Sequence, residues 1–365
     1  MLGVIALVAD IVGNTLANME SRGISTGFGF LRSEAGFGII QTLIPYSEAS
    51  TFGRTFVVGL LNTLLVSALG ILLATLLGFL IGIARLSRNW IVARLAGTYI
   101  EIFRNIPLLL QIFFWYFAVL RALPGPRQSL ALGDAVFLNL RGLYLPRPVP
   151  ESGFGWVIGA LSVGFLCAFA LRFWARRRQL ASGRPFPVAP VMLVLILGLP
   201  AVVFLLIGAP LGWEMPALRG FNFRGGITVI PELAALLLAL SIYTAAFVAE
   251  IVRAGIQSVP SGQTEAAASL GLRRGQILRL IVIPQALRVI IPPLTSQYLN
   301  LLKNSSLATA IGYPDLVNVF AGTTLNQTGQ AVEVIAMTMA VYLTISLLIS
   351  LAMNWYNARK GERRH

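Results

Sequence analysis

The stretch EAAASLGLRRGQILRLIVIP, residues 265–284, decides how this chain is read. It is polar and rich in small residues, and it lies between two apolar segments, 231–256 and 286–302. Its spacing predicts two short helices bent at Gly271, because glycine accepts the left-handed turn that ends a helix. Pro284 is expected to stop the second helix before the next apolar run. A short helix joined at each end to a bilayer-crossing segment moves with both. Ala266, Ala267 and Ala268 leave a face without bulky side chains, which a partner can approach closely. Glu265 puts an acidic group in the first turn, where the helix dipole favours it. The plainer reading is an amphipathic loop with no partner.

Composition places the flanking segments in a membrane. Of 365 residues, 56% are apolar and 12% charged, whereas a soluble domain carries roughly 25% charged residues. One soluble core cannot hide that much apolar surface, so the chain reads as an all-α polytopic membrane protein. A span needs about 20 residues at 1.5 Å each. Spans are predicted at 55–84, 95–121, 154–174, 188–208, 231–256, 286–302 and 333–356. A short apolar run at 1–17, broken by Asp10 and Asn14, reads as a first span rather than a cleavable leader. The expected total is about eight. In 55–84, Gly70, Ala74, Gly78 and Gly82 recur every fourth residue, a ladder that lets helices approach closely in lipid.

The formal charge of +14 raises nucleic acid as a partner. The arginines punctuate apolar runs instead of forming one basic face, so no nucleic-acid partner is expected and the charge reads as topology. One side collects Arg85, Arg88, Arg94, the cluster 172–184, the arginines of 253–288 and the tail 359–364. The other collects Arg22, Arg32, Arg54, Arg121, Arg127, Arg141, Arg147, Arg219 and Arg224, little more than half as many basic residues. The richer side is expected to be cytoplasmic, with both termini and the 258–285 loop on it.

Charges inside spans cost about 2.5–3.5 kcal/mol each at the bilayer centre. Two matched pairs stand there: Glu101 with Arg104 in EIFR, and Glu250 with Arg253 in EIVR. Each pair shares a helical face. They either neutralise themselves or line a central path and exchange partners between spans, Glu101 with Arg253 and Glu250 with Arg104. Opposite charges on facing helices also suit the two ends of a zwitterion. After Pro292 and Pro293, which are expected to break or kink their span, Asn300, Lys303, Asn304 and Ser305 offer donors for a carboxylate, or else a polar interfacial cap. With Cys167 in an apolar run and His365 at the end, no internal histidine is available as metal ligand or proton relay. An enzyme would have only carboxylates to use. The chain carries no Gly-x-x-x-x-Gly-Lys-Ser/Thr phosphate loop.

The pattern Glu265-Ala266-Ala267, three residues, Gly271, nine residues, Ile281-x-Ile283-Pro284 resembles the cytoplasmic EAA loop of ABC importer permeases, with Ile283 where leucine is usual. The loop, EIFRNIPL at 101–108, EIVRAG at 250–255 and KNSSL at 303–307 together resemble the polar-amino-acid branch, which includes histidine, glutamine and arginine permeases. The resemblance covers roughly 55–123 and 231–357. It implies a type I importer permease with five core spans and about three additional ones. It assigns 1–54 to an added span and extracytoplasmic segment, 55–123 to core spans one and two, 124–230 to an insertion with two extra spans, and 231–365 to core spans three to five. The insertion is similar to that of the long permease subunits of general L-amino-acid uptake systems.

The resemblance implies an amino-acid import function, with the chain as half of the translocation path in a bacterial inner membrane. Its implied partners are a second homologous permease, two ATP-binding subunits and an extracytoplasmic amino-acid-binding protein. ATP and magnesium would sit on the ATPase, and no cofactor is expected in this chain. The 265–284 loop would dock into the ATPase. An ion-coupled secondary amino-acid transporter is the alternative.

Overall fold

The computed structural model describes residues 26–184 and 186–361, with isolated positions between 3 and 21. The expected span within 1–17 lies outside the described residues for the most part. In chain order the first helices are α1 (Phe52–Arg85), α2 (Trp90–Asn105) and α3 (Leu108–Leu120). Strands β1 (Leu130–Leu132), β2 (Val136–Asn139), β3 (Gly142–Leu145) and β4 (Arg147–Pro150) follow. Then come α4 (Phe154–Ser182) and α5 (Val188–Leu206). Strands β5 (Leu211–Glu214), β6 (Ala217–Arg219), β7 (Asn222–Arg224) and β8 (Ile227–Val229) precede α6 (Pro231–Gln257) and α7 (Ser261–Ser269). The last long helices are α8 (Arg274–Ile311) and α9 (Ala331–Tyr356).

Among the described residues, six helices are long and apolar enough to cross a membrane, or seven if α2 and α3 form one bent span. Seven of the eight expected spans fall within these residues, and the count reaches seven when α2 and α3 are taken as one bent span. The single span foreseen at 95–121 is two helices meeting at 105°. Pro107 drives Ile106 to an extended backbone, φ −94° and ψ 127°. Buried Gln111 then donates through Nε2 to the carbonyls of Phe103 and Ile106, at 3.1 and 3.0 Å, closing the end of α2.

The chain forms two units. The first comprises 1–122 and 230–365, the second 123–229. In the first, α1 packs along α6, and the small-residue ladder explains how. A Cβ on Gly78 would stand 2.5 Å from Val248, and one on Gly82 would stand 2.7 Å from the Ala249 carbonyl. Gly70 faces Leu301 of α8 in the same way, at 3.2 Å. Close approach substitutes dispersion contacts for the hydrophobic drive that lipid does not provide.

Near its N-terminus α1 meets the 312–324 segment. Asn62 Nδ2 donates to the carbonyls of Gln41 and Pro314, both at 2.9 Å. Asp315 is fully buried there, and its Oδ1 accepts from the Asn318 N–H at 2.8 Å. Burial pushes its carboxyl up to about 7, against about 3.9 unfolded. The native protein thus holds an extra proton between these values. That contribution is complete below about pH 3.9 and is lost as pH rises through about 7. The parent's Tm is expected to fall between about pH 4 and pH 8, and Asp315→Asn, which keeps the capping oxygen, is expected to abolish that fall. An identical slope in both proteins would refute the assignment.

The second unit holds α4 and α5, packed so closely at Gly164 that a Cβ would meet the Leu195 carbonyl at 2.5 Å. Its strands form an antiparallel sheet in the order β1-β2-β3-β8, a two-stranded antiparallel sheet of β4 with β5, and a β6–β7 hairpin. Sequence periodicity leaves these stretches as two separate loops. The pairing of β3 with β8 joins them, with Leu143 opposite Val229. Such pairing between distant short strands has no local signal.

Candidate functional site

The 258–285 loop folds as its spacing foretells in its first half. Helix α7 ends at Gly271, whose φ is +77°. The N–H of Gly271 bonds the Ala268 carbonyl at 2.9 Å, and that of Leu272 bonds the Ala267 carbonyl at 3.3 Å. Glu265 and Ala266 are exposed, while Ala267 is buried. The second half departs from expectation. Pro284 does not stop the helix, because Arg274–Ile311 continues past it. A π-type turn, Leu278–Val282, ends two residues before the proline. Such a widened turn relieves the clash a proline ring makes with the preceding turn. Ile281 is half-buried and Pro284 exposed. Likewise Pro292 and Pro293 lie inside the continuing helix rather than breaking it.

Leu270 before the turn glycine is 82% exposed, and Leu278, Leu280 and Ile283 farther along the loop are exposed too. The motif reading passes over Leu270. Its signal is one large apolar residue directly before the turn glycine of an otherwise polar helix.

The helices on either side of the loop are locked together. A Cβ on Gly255 of α6 would overlap Ile290 of α8. Around it Val248, Val252, Ala286, Ile290 and Leu294 form a buried cluster. With Gly82 of α1 against Ala249 and Val252 of α6, three long helices are geared to one exposed loop.

At the same end of α6 lies a charged cavity of about 340 Å³, lined by Arg85, Gly97, Ile100, Glu101, Arg104, Glu250 and Arg253. The structure thus brings both predicted pairs together on α2 and α6. Their partners differ from the expected exchange. Glu250 takes Arg253 of its own helix in a fork, at 2.9 Å to Nε and 2.5 Å to Nη2. Arg253 also donates to Gln257. Arg104 lies over the Phe247 ring, 5.1 Å from its centroid. Among the described residues this Glu250–Arg253 pair is the one ion pair, so Glu101 faces the cavity without one.

Arg85, which sequence reads as a topology anchor, is the third guanidinium. It donates to the Ala93 carbonyl at 3.2 Å and lies over Gly97, where a Cβ would stand 2.9 Å from its Cζ. Only the turn between α1 and α2 brings it there.

The second predicted group divides. Ser305 is buried, and its hydroxyl donates to the Leu302 carbonyl at 2.7 Å. Asn300 is exposed and Asn304 half-buried. Lys303 lines a separate cavity of about 390 Å³ with Ser306, Val317, Thr338, Met339 and Tyr342.

The family model described as "Binding-protein-dependent transport system inner membrane component" matches residues 70–362. Putative amino-acid ABC transporter permease protein YhdX of Escherichia coli K12 is 60% identical, covering 98% of this chain and 91% of its own length. General L-amino acid transport system permease protein AapQ of Rhizobium johnstonii is 53% identical, over 96% and 87% respectively. The glutamate/glutamine/aspartate/asparagine transport system permease protein BztB of Rhodobacter capsulatus is 44% identical, over 95% and 88%. A solved amino acid ABC transporter with histidines superposes with a TM-score of 0.50 and 22% identity, over 84% of this chain and 95% of that one. At that identity the likeness is one of fold.

Proposed function

Because this chain belongs to the family of binding-protein-dependent transport system inner membrane components, we propose that it is a permease subunit of an ATP-driven amino-acid importer. The observation that carries the coupling mechanism is the exposed 258–285 loop rigidly geared to α1, α6 and α8. In this reading an ATPase subunit grips Glu265, Ala266 and the apolar tip at Leu270. Its closure on ATP tilts α7, and the tight contacts at Gly255 and Gly82 carry the tilt into the spans. A loop with slack at either joint would dissipate the motion.

The importer is assembled from this subunit, a second permease, two ATPase subunits and an extracytoplasmic amino-acid-binding protein. Nucleotide and magnesium belong to the ATPase, since this chain has no phosphate loop of the Gly-x-x-x-x-Gly-Lys type. The basic residues favour a cytoplasmic loop and cytoplasmic termini in an inner membrane. The core boundaries 55–123 and 231–365 and the insertion 124–230 are part of the same proposal.

The charged cavity acts as a gate near the loop. Glu101 offers a carboxylate to an α-ammonium group, and Arg104 and Arg85 offer guanidinium forks to an α-carboxylate. Lys303 supplies a separate cation along the path. The ion-coupled alternative has no support in the family match.

Uptake of labelled amino acid into vesicles carrying the whole complex is the test. ATP without an ion gradient is expected to drive it. Glu101→Gln and Arg104→Gln are each expected to lower uptake roughly tenfold, equivalent to about 1.4 kcal/mol, with ATPase assembly unchanged. Uptake that needs an ion gradient would overturn the permease reading. Full activity in both variants would overturn the gate alone.

A further inference from the structure

The second unit carries a built site that the coupling mechanism does not use. Arg127, Gln128, Arg141 and Phe221 line a cavity of about 290 Å³ together with Gly125 and Pro126. They come from three turns distant in sequence. Arg127 and Gln128 lie in a short turn before β1, Arg141 lies in the β2–β3 turn, and Phe221 lies in the β6–β7 turn.

Two buried polar side chains tie these turns together. Asn139, 1% exposed, accepts the Arg141 N–H through Oδ1 at 2.8 Å. Through Nδ2 it donates to Ser129 Oγ at 2.9 Å, and that hydroxyl donates to the Pro126 carbonyl at 2.7 Å. The Leu140 N–H bonds the Pro124 carbonyl at 3.0 Å. Tyr144, 2% exposed, donates to Asn222 Oδ1 at 2.9 Å and so holds the turn next to Phe221. Behind them Phe223 stacks between Phe137 and Tyr144, with ring centroids 4.5 and 5.0 Å apart. The side chains at the mouth are exposed, yet their backbones are fixed.

The electrostatics are one-sided. Among the described residues neither guanidinium has a carboxylate within 4.0 Å. Arg127 instead lies over the Phe221 ring, 5.2 Å from its centroid. Phe221 itself is 75% exposed. Two unpaired, planar five-donor forks beside an aromatic wall are matched by a carboxylate, which accepts two parallel N–H bonds from each. The cavity is an open mouth, whereas a small-molecule site encloses about 70–90% of its ligand's surface. That shape suits a side chain presented by another protein.

We propose that this arginine pair docks an acidic side chain, aspartate or glutamate, on the surface of the extracytoplasmic amino-acid-binding protein. The inference rests on the importer reading, which supplies that partner and its side of the membrane. It gives the insertion a role in delivery: the pair sets how the loaded partner is oriented over the permease, while the coupling loop answers to ATP. Turns fixed in advance lose little freedom when the partner arrives, which favours docking.

The test uses the whole complex in nanodiscs, with the binding protein titrated at low and high salt. Arg127→Glu with Arg141→Glu is expected to weaken docking roughly tenfold or more, because like charges then face each other. It is also expected to flatten the salt dependence, leaving ATPase activity without binding protein unchanged. Arg127→Gln with Arg141→Gln should give a smaller loss in the same direction, and it decides the matter if the reversed protein does not assemble. Lysine at the matching acidic position of the binding protein should restore docking to the reversed permease. Unchanged affinity and salt slope in both variants would overturn the proposal. So would saturable binding of free glutamate to the wild-type complex that both variants lose, since that marks a ligand pocket. A wild-type complex that neither docks the binding protein nor imports with ATP would refute the importer reading itself. Normal import with variants that dock as well as wild type would refute this site alone.

Discussion

Valine in place of Gly255 is expected to cut ATP-driven uptake at least tenfold and to lower the Tm of the purified protein. Gly255 sits where α6 crosses α8, and even one added carbon there overlaps Ile290. Two further methyl groups must displace Ile290 or part the helices. Overpacking of this kind costs about 1–3 kcal/mol. On the proposed coupling the joint has to stay tight while the loop moves, so the functional loss should exceed what stability alone implies. Ile290→Ala removes the obstructing side chain, and combined with Gly255→Val it should recover part of both losses. Strong non-additivity is the signature of a shared contact. A Gly255→Val protein with the parent's Tm and uptake would show that the two helices are not in register at this point.

Gly271→Val probes the lever rather than its joint. No atom stands within 4 Å of where a Cβ would be, so the side chain meets no obstacle. The φ of +77° is the whole penalty. A β-branched residue in that region costs about 1–3 kcal/mol, and the turn is expected to relax by rotating Leu270 away from its exposed position. Global stability should barely change, because the turn carries no core. Import is expected to fall roughly tenfold or more, while the isolated ATPase keeps its turnover. Gly271→Asn, which tolerates the left-handed conformation, should retain most of the activity. Equal loss in the asparagine and valine proteins would shift the cause from backbone geometry to the absence of glycine's small surface.

The two variants separate what is local from what is tertiary. The turn at Gly271 was legible from sequence because a left-handed residue after a short helix is a local demand with one good solution. The clash at Gly255 was not, since nothing near residue 255 announces Ile290 as its neighbour. Arg85 makes the same point within the charged cavity. EIFR and EIVR declare themselves as costly charge inside spans, whereas Arg85 follows a span and reads as an anchor until the α1–α2 turn folds it over Gly97. The prolines misled for a related reason. Pro284, Pro292 and Pro293 each argue for a helix end in isolation, yet helix continues through all three.

Sequence by itself determined that this chain carries helices long and apolar enough to cross a membrane, and that one polar loop between two of them has spacing that resembles the EAA loop of importer permeases. Those properties depend on composition, period and short-range backbone preference. Tertiary structure alone decided which charges share a cavity, which glycines are joints, and that two distant loops close into one sheet bearing an arginine pair. These depend on side chains far apart along the chain coming within a few ångströms, and no local preference encodes that distance.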